Sequence, residues 1–429
     1  MENPNTHRTA VRRAWVAVVA AATLLGAGGF GMRAAVQNPS QSAGASGAAG
    51  HQMGDASGAC DEPTLRCASS ATPVFGADGT LWLVWAAGGK VSVARSSDRG
   101  RTFAAPVAVT PKALTLDGGA DERPQILVDA QGQLTVAYAI FKDKRYNGQI
   151  FTAVSKDGGA TFTTPRSITD DSSSQRFINL ARDADGQVFA SWIDKRHVVA
   201  EEKAGGQFDG ASLAFAWSKD GGEHFEPARI AHDHMCECCR LGVALTGPHQ
   251  PAVVFRNIFG GERDHALLQF NADMSVRSLA RVAEDHWKLD ACPHHGPSLA
   301  LAPDGTFHAV WYSGGGVRQG SFYAHSTDGG KTFSSPMRIG DANRQPTRPY
   351  VYVRNGRVWL AWKEFDGEQT SVLVSSSSDG GRTWTLPRTI AQTADYSDHP
   401  LLVSDGRAVY LSWMTKVDGY RVLPVEAHS

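Results

Sequence analysis

The stretch "SKDGGATF", residues 155–162, sets a serine, an aspartate two places on, a glycine two further, then a threonine and an aromatic. The same order returns as "SSDRGRTF" from Ser96, "SKDGGEHF" from Ser218, "STDGGKTF" from Ser326 and "SSDGGRTW" from Ser377. The aspartates Asp98, Asp157, Asp220, Asp328 and Asp379 stand 59, 63, 108 and 51 residues apart, so one gap is twice the others and implies a decayed copy near Asn271 and Asp273. A period of about fifty residues is the mark of a repeat architecture, and the rest of the pattern decides which one.

Short β-type runs ending in an aromatic residue keep the same period without using the box. They are "LWLVW" to Trp85, "LTVAY" to Tyr138, "VFASW" to Trp192, "PAVVF" to Phe255, "FHAVW" to Trp311, "VWLAW" to Trp362 and "VYLSW" to Trp413. Most follow another apolar run and an Asp-Gly type turn, as in "LALAPDGTFHAVW", which is a hairpin signal. Several strands per fifty-residue unit predict an all-β fold, a β-propeller of four-stranded blades. Seven units predict seven blades, with six blades and one partial unit as the alternative. The last unit, "HPLLVSDGRAVYLSWMTKVDGYRVLPV", offers three strands, and "TLRCASS" at residues 64–70 is a candidate for the missing fourth.

The five boxes resemble the Asp-box, or BNR, repeat of the sialidase superfamily, over residues 70–424. That resemblance implies a structural role for all five: a turn between third and fourth strands, away from the active face. It also implies a site in which arginines hold a sialate carboxylate and a tyrosine-glutamate pair does the chemistry. Counting back from the second-strand aromatics, the positions entering each inner strand are Thr72, Arg123, Arg176, Arg240, Gly296, Arg348 and His399. Guanidiniums suit bidentate anion binding, so Arg123, Arg176, Arg240 and Arg348 are candidate anion ligands, compensated by Asp121 and Glu122. Carried over from the resemblance, Arg123, Arg176, Arg348, Tyr350 and Glu364 are candidate catalytic residues, with Tyr146, Tyr396 and Asp194 behind them. The first blade reads "SATPVFGAD", without the Phe/Tyr-Arg-Ile-Pro sequence of that family.

The cysteines carry a separate signal. "DHMCECCRLG", residues 233–242, holds Cys236, Cys238 and Cys239, and "LDACPHHGPS" holds Cys292, His294 and His295 one blade later, 53 residues from Cys239. Thiolate and imidazole ligands from adjacent loops suit zinc or copper(I), with His232, His234, Met235, His197 and His265 nearby. Disulfides are the competing reading: Cys60 with Cys67, and Cys292 with one of Cys236, Cys238 or Cys239. Adjacent cysteines bridge only with strain, so the group of three is hard to exhaust that way.

Residues 1–36 have a basic start and a short apolar run, and read as a signal peptide or signal anchor; residues 37–58 are a Gly/Ala/Ser linker, and the propeller occupies 59–429. The chain is therefore expected to be exported, periplasmic or secreted, or anchored to the inner membrane by its N-terminus. With net charge −1 and scattered basic residues, no nucleic-acid surface is expected. The expected partner is a metal ion or small anion bound by a monomer. Three functions follow: a copper or zinc site at the channel mouth, a sialidase-type hydrolase of an anionic sugar, or a non-catalytic propeller that binds protein or peptide.

Overall fold

The computed structural model describes Cys60, residues 62–289, Ala291 and residues 293–426. The signal and linker calls, and the metal call on Cys292, fall outside the described residues. Within them the chain folds into seven antiparallel sheets in strict chain order. Blade 1 is Ala71–Phe75, Leu81–Ala87, Lys90–Ser96 and Val107–Ala108. Blades 3 to 6 repeat that meander; blade 2 does so with an extra short strand, Leu116–Asp117, which pairs with Leu134–Phe141 beside Gln125–Val128; and blade 7 has three strands, Leu401–Ser404, Val409–Thr415 and Gly419–Pro424.

The first strand of every blade is the innermost. A cavity of about 290 Å³ is lined by residues from all seven first strands, among them Thr72, Ile126, Leu180, Val243, Leu299, Tyr350 and Leu401. Between blades lie seven hydrophobic clusters, one per interface of the ring. The second-strand aromatics sit in them, with Trp192 and Trp413 fully buried. Repetition of a large ring once per blade is what sheet-on-sheet packing around a circle requires, and it settles the blade number at seven.

Each box joins a third strand to a fourth. In all five, the serine hydroxyl donates to the aspartate at 2.7–2.8 Å and accepts the N–H of the glycine two further on. The aspartate also accepts the backbone N–H of the following threonine or histidine at 2.9–3.0 Å. These bonds hold Asp98, Asp157 and Asp220 at about 2. Gly159 (φ +80°) packs so closely on Trp82 that a Cβ there would come within 2.6 Å of the ring. Blade 4 has a tight turn at Asn271–Ser275 in place of the box.

Ring closure differs from the expectation. Residues Leu65–Cys67 form a 3-10 turn that packs with Met414 and Tyr420 between blades 7 and 1, so "TLRCASS" adds no strand. Cys60 and Cys67 are bridged, fastening this segment to itself. Blades 7 and 1 are joined by side chains: Ala71 N–H donates to Asp398 at 3.2 Å, and Arg99 pairs with Asp405 at 3.0 Å. One helix, Arg196–Lys203, is inserted between the second and third strands of blade 3.

Candidate metal centre and channel mouth

The fourth strand of blade 3, Arg229–Met235, is outermost, and the next strand, Gly242–Gly247, is innermost in blade 4. Residues 236–241 must cross the whole blade between them. They are held against the end of blade 4's second strand: Cys236 N–H donates to Arg256 O at 2.8 Å, and Ile258 N–H to His234 O at 2.8 Å. The crossing buries Cys236, Cys238 and Cys239 together at 0–3% exposure. Their sulfurs stand 3.6, 3.8 and 4.0 Å apart, far beyond the roughly 2.05 Å of an S–S bond. Sulfurs about 2.3 Å from a shared tetrahedral zinc would be separated by about 3.8 Å.

Two guanidiniums face the sulfurs, and sequence reasoning missed both. Arg256 Nη1 donates to Cys239 Sγ at 3.0 Å, and Arg263 Nη1 to Cys236 Sγ at 3.5 Å. Hydrogen bonds from Cys238 and Cys239 hold the Cys236 thiol well below its ordinary range, and both arginines add to the effect. Sharing a proton with Cys236 pushes Cys239 up to about 12. The signal for Arg256 lies in "PAVVFR": an arginine directly after a second-strand aromatic, where the other blades carry alanine, isoleucine, tyrosine, lysine or methionine.

The histidines are placed differently from the expectation. Among the described residues the ligand atoms lying within 4.8 Å of one another here are the three sulfurs, and neither His294 nor His295 joins them. His295 stacks on Tyr312 with ring centres 4.1 Å apart, and its Nδ1 is committed to Thr347 Oγ1 at 3.1 Å. His294 has positive φ, and its carbonyl accepts from Arg348. His197 pairs with Asp233, His232 with Asn257, and His234 with Asp209 O. Met235 is buried in the core between blades 3 and 4. His265 is buried with its Nε2 lacking a partner, and burial first of all keeps it neutral.

Directly beyond Cys239, Arg240 opens onto the channel mouth, where the four arginines divide into two kinds. Arg123 is spent on structure: it pairs with buried Asp398 at 2.5 Å and donates to Ala71 O and Ala120 O. Arg176 pairs with Asp117 at 2.5 Å and lies over the rings of Phe141 and Phe177. Arg240 and Arg348 share one carboxylate oxygen of Asp121, at 3.5 and 3.0 Å. Arg240 also meets His399 Nδ1 at 3.2 Å, and burial lowers the Arg240 guanidinium to about 10. Lys363 stands beside them, donates to Ser397 O at 2.9 Å, and is lowered to about 8, mainly by burial. Counting Arg240, Arg348 and Lys363 against Asp121, the mouth carries two excess positive charges when Lys363 is protonated.

Among the described residues no hydrogen bond joins Glu364 to Tyr350, Tyr396 or Tyr146. Glu364 accepts from Trp362 Nε1 and Asp341 N–H, each at 2.9 Å, and so anchors a core indole. Asp194 does the same for Trp192 and pairs with Arg196. Tyr350 lines the cavity, where burial raises its hydroxyl above the ordinary range. Tyr396 is half exposed and is raised to about 12, while Tyr146 lies at the surface against Phe141. Glu122 accepts the N–H groups of Phe177 and Ile178 and is buried, away from the ligand-facing set.

No protein-family model matches the chain, and no curated protein matches it. Among solved structures it is similar to a polysaccharide lyase, the PL25 ulvan lyase. The form bound to -[GlcA(1-4)Rha3S]- has 12% identity and a TM-score of 0.54, over 82% of this chain and 92% of that one. The polysaccharide lyase Uly1 is similar at 9% identity and a TM-score of 0.50, over 80% of this chain and 87% of that one. At such identities the likeness is one of fold, the seven-bladed propeller already described.

Proposed function

We propose that this chain is a soft-metal-binding propeller of the cell envelope, with Cys236, Cys238 and Cys239 holding the ion. One observation carries the reading: three buried sulfurs, drawn from four consecutive residues, stand 3.6–4.0 Å apart without being bonded. Thiols in an oxidising compartment do not persist in that arrangement unless they are protected, and a bound ion protects them. The test is the metal content of full-length protein purified from the exported fraction under anaerobic conditions. One equivalent of copper or zinc, lost in Cys236→Ser and Cys239→Ser, supports the reading; a content near zero in the parent overturns it.

A second reading has its own observation, the two uncompensated positive charges of Arg240, Arg348 and Lys363 at the mouth of the axial cavity. Such a site suits an anionic saccharide, and the fold is shared with lyases that act on polysaccharides. It differs from the expected sialidase-type centre in that Glu364 is committed to Trp362 Nε1 and Asp341 N–H. Binding of uronate or sulfate-bearing oligosaccharides, weakened at least tenfold in Arg348→Met, tests it; equal binding by parent and variant removes it.

A further inference from the structure

The backbone departs from ordinary strand geometry to aim Arg348. This residue has φ +54° and lies where the register between the first two strands of blade 6 shifts, between Thr347 and Tyr350. A side chain is costly in that conformation and persists only where the surroundings impose it, and a register shift re-aims the residue that carries it. Room for Arg240 is made by Gly296, the entry position of blade 5, where a Cβ would collide with the Arg240 side chain.

Each of these guanidiniums is engaged through one nitrogen. Arg240 Nη1 meets Asp121 Oδ1 at 3.5 Å and His399 Nδ1 at 3.2 Å. Arg348 Nη1 donates to the same Asp121 oxygen at 3.0 Å and to the carbonyl of His294. Among the described residues the Nε and Nη2 groups of both arginines make no hydrogen bond, and none of them is sealed from solvent. Asp121, in turn, is held by side chains alone. Other carboxylates around the channel are fastened by backbone N–H groups: Asp398 by Ala71 and His399, Glu122 by Phe177 and Ile178, and Glu364 by Asp341. Asp121 accepts no backbone N–H among the described residues, its Oδ2 accepts no hydrogen bond, and the residue lines the axial cavity. One oxygen shared between two guanidiniums is a weak use of them, since an oxyanion that met both forks would form paired, charge-assisted bonds.

We infer that Asp121 occupies the oxyanion position of the mouth in place of a ligand and is displaced when one binds, which makes it the specificity-determining residue there. The inference rests on the anionic-saccharide reading above. Rotation of the Asp121 side chain suffices, because Glu122 and Arg123 pin the chain that follows. The ligand class is a saccharide whose carboxylate or sulfate reaches both guanidiniums at once. A neutral sugar is excluded, because displacing Asp121 without a replacement leaves two cations facing each other.

Full-length protein and its Asp121→Asn variant are titrated by calorimetry at low ionic strength with three probes: inorganic sulfate, a galacturonate tetrasaccharide, and a sulfated, uronate-free galactose tetrasaccharide. Asp121→Asn is expected to bind sulfate at least tenfold more tightly than the parent, because its side chain no longer repels the incoming anion. At least one saccharide is expected to gain by the same factor, and the one that does identifies carboxylate or sulfate as the group recognised. Adding Arg348→Met to Asp121→Asn is expected to remove the gain. The Tm of Asp121→Asn, lowered by two guanidiniums left without their acceptor, is expected to recover on adding sulfate, which reads binding even where the variant is partly unfolded. Affinities for all probes that are equal within about twofold, or lower in Asp121→Asn, overturn the inference and leave the anion reading standing. Failure of parent and variant to bind any of the three overturns the anion reading, and the inference with it.

Discussion

Arg123→Met should destabilise the propeller while leaving the mouth's anion-binding charges in place. The guanidinium ties three blades: Asp398 of blade 7 at 2.5 Å, Ala71 O of blade 1 at 3.1 Å, and Ala120 O on its own approach to blade 2 at 3.2 Å. Asp398 is 2% exposed and also accepts from Ala71 N–H and His399 N–H. Removing one partner of such a buried pair costs about 3–5 kcal/mol. With unfolding entropy of about 2.1 cal/mol/K per residue over roughly 370 residues, the loss corresponds to about 4–6 °C in Tm. The cost depends on pH in a defined sense. Burial already raises Asp398 above its ordinary range with Arg123 present, and without Arg123 it rises further. A carboxyl raised in the folded state favours folding at low pH and disfavours it as pH climbs, so the variant's deficit should grow from pH 5 to pH 8. Thermal unfolding followed by circular dichroism at those two pH values reads both effects. A shift below about 1 °C at each pH, or anion binding lost with stability intact, would show that Arg123 serves a ligand and not the ring.

Four further outcomes follow from other contacts. Cys239→Ser should weaken metal binding well over tenfold in chelator competition, since even losing an outer contact to a ligand costs 10–100-fold. Anion binding at the mouth should fall as pH rises through about 8, where Lys363 loses its charge, and Lys363→Met should abolish that dependence in a titration with sulfated or uronate oligosaccharides. Ser155→Ala should lower Tm by about 1–3 °C, because the buried Gly159 N–H loses its acceptor, worth about 1–2 kcal/mol. The boxes also predict acid lability: Asp98, Asp157 and Asp220 are depressed to about 2, so their contribution is present above pH 4 and lost as pH falls toward 2. A flat Tm between pH 4 and 2, or one unchanged in slope in Asp157→Asn, would contradict that.

The candidate site was legible only in part. The density of cysteines in "DHMCECCRLG" marked a place, and the blade period put it at the entry to blade 4. The arginines were equally visible, yet sequence gave no way to tell Arg123 and Arg176, each bound to a buried carboxylate, from Arg240 and Arg348, which share one. Arg256 and Arg263 were passed over because each stands alone in its strand or loop and acquires meaning only from the sulfur it faces. Glu364 and Asp194 were attractive as acids near the mouth, but each sits two residues after a core tryptophan and receives its indole N–H.

By itself the amino-acid sequence determined the architecture. Period, hairpin turns and second-strand aromatics are local properties repeated along the chain, and they predict a propeller, while the choice between seven blades and six came from the structure. The five boxes are equally local, since serine, aspartate, glycine and threonine bond within a single turn. What only the tertiary structure decided is which charge meets which. The ring closes through Asp398 and Arg123, 275 residues apart, and not through a borrowed strand. The sulfurs come together because residues 236–241 must cross from the rim to the axis, and Arg256 faces them from a strand whose sequence does not mention them. Propeller geometry brings such residues into contact by angle and radius, and neither quantity is written along the chain.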